Sequence, residues 1–238
     1  MNQPIYLALD FPTWEQTSHF LQKNNLEGIP VKVGMELFYR EGIDVIKKLQ
    51  EKNHSIFLDL KLHDIPTTIY KSMRNLAKLG VNFVNVHGFG GADMIKAAKQ
   101  GLVEGTPSDK NQAKLLVVTI LTSMNQNMLS SQLGIAYPLA DMAMHFSKMG
   151  KDQGADGVVC SAHEAAKIKN VCGDGFLTVT PGIRLKDTSS NDQQRIATPE
   201  LAKQNGADYL VIGRSITESD NPKQRYEQAL KEWDNVNK

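Results

Sequence analysis

The chain has 238 residues, 41% of them hydrophobic and 22% charged, enough to bury a large core. Its net charge of +1 offers no basic field for nucleic acid. No apolar run approaches the ~20 residues of a membrane span, so neither nucleic acid nor membrane is an expected partner.

The chain enters an apolar strand directly, without a basic stretch and cleavage site, so no signal peptide is expected. Strands are predicted at "IYLALD" (5–10), "PVKVGM" (30–35), "IFLDLKL" (56–62), "FVNVHG" (83–88), "LLVVTILTS" (115–123), "GVVCS" (157–161), "LTVTPGI" (177–183) and "YLVIGRS" (209–215). Between them, stretches such as "IDVIKKLQEK" and "IYKSMRNLAKLG" repeat apolar residues at three and four, as helices do, and Gly80 is placed to end one. No Pro/Ser-rich linker divides the chain, which reads as a single domain over 1–238. Repeated strand–helix units demand a parallel sheet, and eight of them at this length suit a (β/α)8 TIM barrel. A doubly wound open sheet is the competing architecture, but G-x-G-x-x-G is missing after the first strand. Cys160 and Cys172, the only cysteines, read as reduced thiols in a cytoplasmic protein.

In a barrel the strand ends and the loops after them form the active face. "LALD" ends at Asp10, and "VKVGM" sets Lys32 opposite in face to Val31 and Val33. In the third strand Ile56, Leu58, Leu60 and Leu62 share one face, while Phe57, Asp59, Lys61 and His63 share the other. An exposed strand with a surface ion pair is the plain alternative. The wholly aliphatic opposite face instead points Asp59 and Lys61 into the barrel, with Asp64 just beyond them. Two acids and two lysines on three consecutive strands suggest an alternating Lys–Asp–Lys–Asp network. His87 in "VHGFGG" reads as structural, and no histidine spacing suggests a metal site. "TPGIR" and "IGRS" end the last two strands, each pairing a glycine with an arginine, Arg184 and Arg214. Barrel phosphate sites favour these loops, and arginine forks onto phosphate oxygens. Between them runs the polar stretch 185–199, a candidate lid from which Gln193 or Gln194 would reach the anion.

"DLKLHDIPTT" carries D-x-K-x-x-D followed by I-P-x-T. With "LALD", "VKVGMELF", "VHGFGG", "TPGIR" and "IGRSI" in this order, the chain resembles the orotidine 5′-phosphate decarboxylases of the short bacterial type, from Asp10 to Arg214. The resemblance implies conversion of orotidine 5′-monophosphate to UMP, the last step of de novo UMP synthesis, with no cofactor and no metal. Asp10 and Lys32 would hold the ribose hydroxyls, with Lys32 also part of the charged network. Asp59 would face the departing carboxylate, and Lys61 would protonate C6. Asp64 and Thr68 would reach the neighbouring subunit's site, making a homodimer. Thr122 would lie near the base and Pro181 would border it. Arg184, Gln193, Gly213 and Arg214 would take the phosphate, Gln193 being chosen because "NDQQR" matches the family's D-Q-x-R. The related magnesium-dependent sugar-phosphate enzymes, of the 3-hexulose-6-phosphate synthase and 3-keto-L-gulonate-6-phosphate decarboxylase types, share D-x-K-x-x-D but usually have a glutamate at the position of Lys32. They are the alternative reading.

The chemistry accounts for the charges. Loss of CO2 leaves an electron pair at C6 that the pyrimidine ring delocalises poorly, so fixed charges must stabilise it. A Schiff-base aldolase built on Lys61 would need a neutral amine, which flanking carboxylates oppose. A non-catalytic nucleotide-binding barrel would leave this full set of charges without a purpose.

Overall fold

The computed structural model describes residues 3–185 and 196–235. The eight apolar runs form parallel strands: β1 (Ile5–Ala8), β2 (Val31–Gly34), β3 (Ile56–Leu62), β4 (Phe83–His87), β5 (Lys114–Val118), β6 (Gly157–Val159), β7 (Leu177–Thr180) and β8 (Tyr209–Ile212). Each pairs with the next, and β8 pairs with β1, closing a (β/α)8 barrel as expected. The helices around it are α1 (Trp14–Lys23), α2 (Met35–Glu41), α3 (Asp44–Glu51), α4 (Pro66–Leu76), α5 (Gly91–Gly105), α6 (Leu139–Asp152), α7 (Ala162–Cys172), α8 (Pro199–Gln204), α9 (Arg214–Thr217) and α10 (Pro222–Asp234).

Helix starts follow local chemistry. Thr13 accepts the Gln16 N–H at the start of α1, and Asn221 accepts that of Gln224 at the start of α10. Pro66 opens α4, where a missing N–H costs nothing.

Strand alternation divides the core into two layers. Ile5, Leu7, Val31, Val33, Ile56 and Leu58 face the helices. Tyr6, Phe57, Phe83, Leu116, Val179 and Val211 fill the barrel. Tyr6, Phe83 and Tyr209 pack edge-on at 5.1–6.0 Å between ring centres and plug the N-terminal end of the barrel. The cavity lined by the charged strand ends opens on the far side of this plug, towards the C-terminal ends of the strands.

The strands end earlier than their apolar runs. β5 stops at Val118 rather than 123, and β8 at Ile212 rather than 215. Thr119 N–H still donates to the Val159 carbonyl at 3.1 Å, and past it the chain bends into the loops of the upper face. Those loops carry the candidate site.

Candidate active site

Three consecutive strand ends bring the charges together. Asp10 follows β1, Lys32 lies in β2, and Asp59 and Lys61 lie in β3. Lys32 Nζ stands 3.0 Å from Asp10 Oδ1 and 3.4 Å from Asp59 Oδ2. Lys61 Nζ stands 2.7 Å from Asp59 Oδ1. The expected alternation is therefore realised as Asp10–Lys32–Asp59–Lys61. Lys32 and Asp59 are buried, Lys61 is partly open and Asp10 is exposed.

Burial and charge oppose each other in the middle of this chain of ion pairs. Burial alone would raise the pKa of Asp59, but the ammoniums of Lys32 and Lys61, with an Asn85 hydrogen bond, hold it below the usual aspartate value. Burial alone would lower that of Lys32, yet the carboxylates of Asp59 and Asp10 hold it above the usual lysine value. Both groups therefore stay charged. Removing either partner would leave a buried charge uncompensated, at a cost of about 3–5 kcal/mol.

Strand alternation describes Lys61 incompletely. Its φ is +50°, in the left-handed region that costs a side-chain-bearing residue roughly 1–2 kcal/mol. The β3–β4 register shifts between Leu58 and Leu62, so β3 bulges where Lys61 sits. Asn85, on the inner face of β4, accepts the Lys61 backbone N–H and donates to Asp59. Sequence reasoning missed this residue. Its signal was present: an amide between Val84 and Val86, on the inward parity of the strand. Gly34 was missed as well. A Cβ there would stand 3.1 Å from both Asp10 Oδ1 and Lys32 Nζ, so a larger residue would press on the Asp10–Lys32 pair.

Above the aromatic floor lies a cavity of about 590 Å³. Asp10, Lys32, Asp59 and Lys61 line it from the first three strands. Thr122 lines it from the loop after β5, and Pro181 and Arg184 from the loop after β7. Gly213 and Arg214 complete it after β8. Phe57, Val118, Val159 and Val211 supply its apolar base. β3 and β7 are four places apart in a ring of eight, so Lys61 and Arg184 rise from opposite walls. Gly182, with φ +78°, turns the chain after Pro181. Arg184 then runs inward and is buried, its Nη1 donating to the Ile183 carbonyl at 3.0 Å. The stretch 185–199 is tied at its base, where Arg184 N–H donates to Ala197 O and Ala197 N–H to Gly182 O.

Two expected residues, Asp64 and Thr68, do not line this cavity. Gln193, like Gln194, lies outside the described residues. Asp64 and Thr68 are exposed, Asp64 just beyond β3 and Thr68 in the first turn of α4. Asp64 Oδ1 accepts the Ile65 N–H at 2.7 Å, and among the described residues it forms no ion pair within its own chain. Among those residues, too, no helix is long and apolar enough to cross a membrane.

The arrangement offers a row of fixed alternating charges beside an apolar slot, with two arginines across it. Comparison with known proteins agrees. A family model described as "Orotidine 5'-phosphate decarboxylase / HUMPS family" matches residues 3–229. A protein from Bacillus cereus (strain Q1) named orotidine 5′-phosphate decarboxylase is 49% identical over 236 residues, 99% of each chain. A Bacillus cytotoxicus protein of the same name is 48% identical over the same length. Among solved structures, the orotidine 5′-phosphate decarboxylase of Lactobacillus acidophilus superposes with a TM-score of 0.86 at 46% identity, over 98% of this chain and 99% of that one.

Proposed function

The chain belongs to the orotidine 5′-phosphate decarboxylase / HUMPS family, and from that premise we infer that it converts orotidine 5′-monophosphate to UMP and CO2, without metal or cofactor. The observation that carries this reading is Lys32. The family's description covers two chemistries, and the residue between the Asp10 and Asp59 carboxylates separates them. Here an ammonium stands 3.0 and 3.4 Å from those carboxylates, on the ground a divalent cation would need. The curated relatives quoted above carry the nucleotide enzyme's name.

The proposed reaction follows from the charges. The phosphate is taken by Arg184 and Arg214, with Gly213 and Gln193 beside them, and the ribose hydroxyls by Asp10 and Lys32. Thr122 and Pro181 border the pyrimidine. Asp59 faces the substrate carboxylate, and the C6–CO2 bond breaks with its electron pair left on C6. The Lys61 ammonium stabilises that pair and then transfers a proton to it, taking one back from solvent afterwards. The charges are held by ion pairs before substrate arrives, so little reorganisation accompanies the step. Phosphate contacts far from the reacting bond organise the site, and their binding energy appears as rate.

The reading extends to assembly. A homodimer in which Asp64 and Thr68 enter the neighbouring site gives these exposed residues a task, and lets Asp64 complete the charge row beyond Lys61. Residues 1–238 would act as one catalytic domain. Cys160 and Cys172, two buried thiols with no disulfide, fit the reducing cytoplasm.

Product analysis tests the proposal. Purified protein incubated with orotidine 5′-monophosphate should release UMP and CO2 in equal amounts and leave 3-keto-L-gulonate 6-phosphate untouched. Turnover of the sugar phosphate and none of the nucleotide would reverse the assignment.

A further inference from the structure

The reaction proposed above needs the Lys61 ammonium held at one point, and the residue that fixes it lies on the adjacent strand. Asn85 sits in the middle of β4, 1% exposed, facing into the barrel. Its Nδ2 donates to Asp59 Oδ1 at 2.6 Å. Its Oδ1 accepts the Lys61 backbone N–H at 2.7 Å. One bond needs a donor and the other an acceptor, so the orientation of the amide is determined and both of its ends are used.

Lys61 requires this support. Among the described residues three other than glycine have positive φ: Asn25, Asn53 and Lys61. The two asparagines tolerate the left-handed region because their short side chains bond locally. A lysine has no such remedy. The β3–β4 register shifts at this bulge, and a side-chain oxygen takes the Lys61 N–H in place of a ladder carbonyl. The second bond acts on the carboxylate. Asn85 and Lys61 converge on Asp59 Oδ1, which leaves Oδ2 towards Lys32. Asp59 therefore cannot rotate without breaking a bond at each oxygen.

We propose that Asn85 is a positioning residue for proton delivery: it locks Lys61 in the left-handed turn and fixes the carboxylate on which the ammonium rests. The Asn85 side chain makes no other hydrogen bond among the described residues, so its effect on rate passes through Lys61 and Asp59. This inference rests on the decarboxylase reading, and the wild-type protein separates the two. An inactive wild type defeats the reading; an active wild type matched by its Asn85 variants defeats only the inference.

The test combines kinetics with amide hydrogen exchange on Asn85→Ala and the isosteric Asn85→Asp. Displacing a catalytic group by about 1 Å costs on the order of 100-fold, so Asn85→Ala should lower kcat about 10- to 100-fold. KM for orotidine 5′-monophosphate and the affinity for UMP should stay within about threefold, because the phosphate contacts are elsewhere. The Lys61 amide should exchange at least ~10-fold faster, while those of Leu58 and Val84 hold their protection. Asn85→Asp keeps an acceptor for the Lys61 N–H but sets a carboxylate against Asp59. It should keep the Lys61 amide protected and still lose at least ~10-fold in kcat. A folded variant of either kind with kcat within twofold of wild type would overturn the proposal. A loss of UMP affinity equal to the loss of kcat would overturn it too, since that would mean general collapse of the site.

Discussion

Lys61 shows how much chemistry one side chain draws from its surroundings. Its ammonium rests 2.7 Å from Asp59, and Asp59 is buried and held charged by two lysines. Lys61→Ala removes the proton donor and half of the compensation for that carboxylate. General acids alone contribute about 10²–10⁴-fold, and here field and proton go together, so kcat should fall at least ~10³-fold. Steady-state kinetics on the purified variant checks this, and a variant keeping a tenth of wild-type kcat would remove Lys61 from its role. His87 makes a different residue-scale prediction. Burial first, then the positive charge of His63 and Lys61, lowers its pKa from 6.5 to about 4. The neutral ring accepts the Phe89 N–H at 3.4 Å. Between those pH values the unfolded chain binds a proton that the folded protein refuses, so stability falls as pH drops from 6.5 towards 4. His54, also lowered by burial, contributes with the same sign. Urea unfolding across that range should show a shallower slope for His87→Gln than for wild type; identical slopes would mean that His87 does not titrate this way.

At the scale of elements, α4 and α5 meet along a close seam. A Cβ on Gly101 would lie 2.4 Å from the Tyr70 carbonyl oxygen, and one on Gly105 would lie 2.5 Å from that of Arg74. Alanine gains about 1 kcal/mol of helix propensity over glycine, but overpacking against backbone costs about 1–3 kcal/mol. The atom met is backbone and cannot step aside, so the upper end of that cost applies, and Gly101→Ala should destabilise by roughly 2 kcal/mol and lower Tm by a few degrees, as calorimetry would show. An unchanged or raised Tm would mean that the two helices separate freely. Elements were also the most legible level of the sequence. Eight apolar runs became eight strands, because a strand buried between barrel interior and helices must be apolar on both faces. The charges at 10, 32, 59 and 61 stood out as exceptions to that rule, and the structure joins them. Asn85 is the same kind of exception, overlooked because a neutral amide stands out less than a charge. The bulge at Lys61 was not legible, since strand parity assumes a regular ladder. The role proposed for Asp64 and Thr68, in a second copy of the chain, is one that neither strand parity nor one chain's packing describes.

The whole molecule is where the shared-site proposal can be tried. Lys61→Ala and Asp64→Asn homodimers should each be nearly inactive. Refolded together, about half the dimers should be mixed, with one intact site of two, so roughly a quarter of wild-type activity should return. If Asp64 serves its own chain, every site keeps a defect and nothing returns. The central claim is that side-chain charges alone, held in a closed barrel by ion pairs and Asn85, carry out the decarboxylation. The measurement that tests it most directly follows the loss of orotate absorbance as purified protein turns over orotidine 5′-monophosphate in excess EDTA. The predicted result is a rate equal to that without chelator. Loss of turnover in EDTA, restored by magnesium, would contradict it.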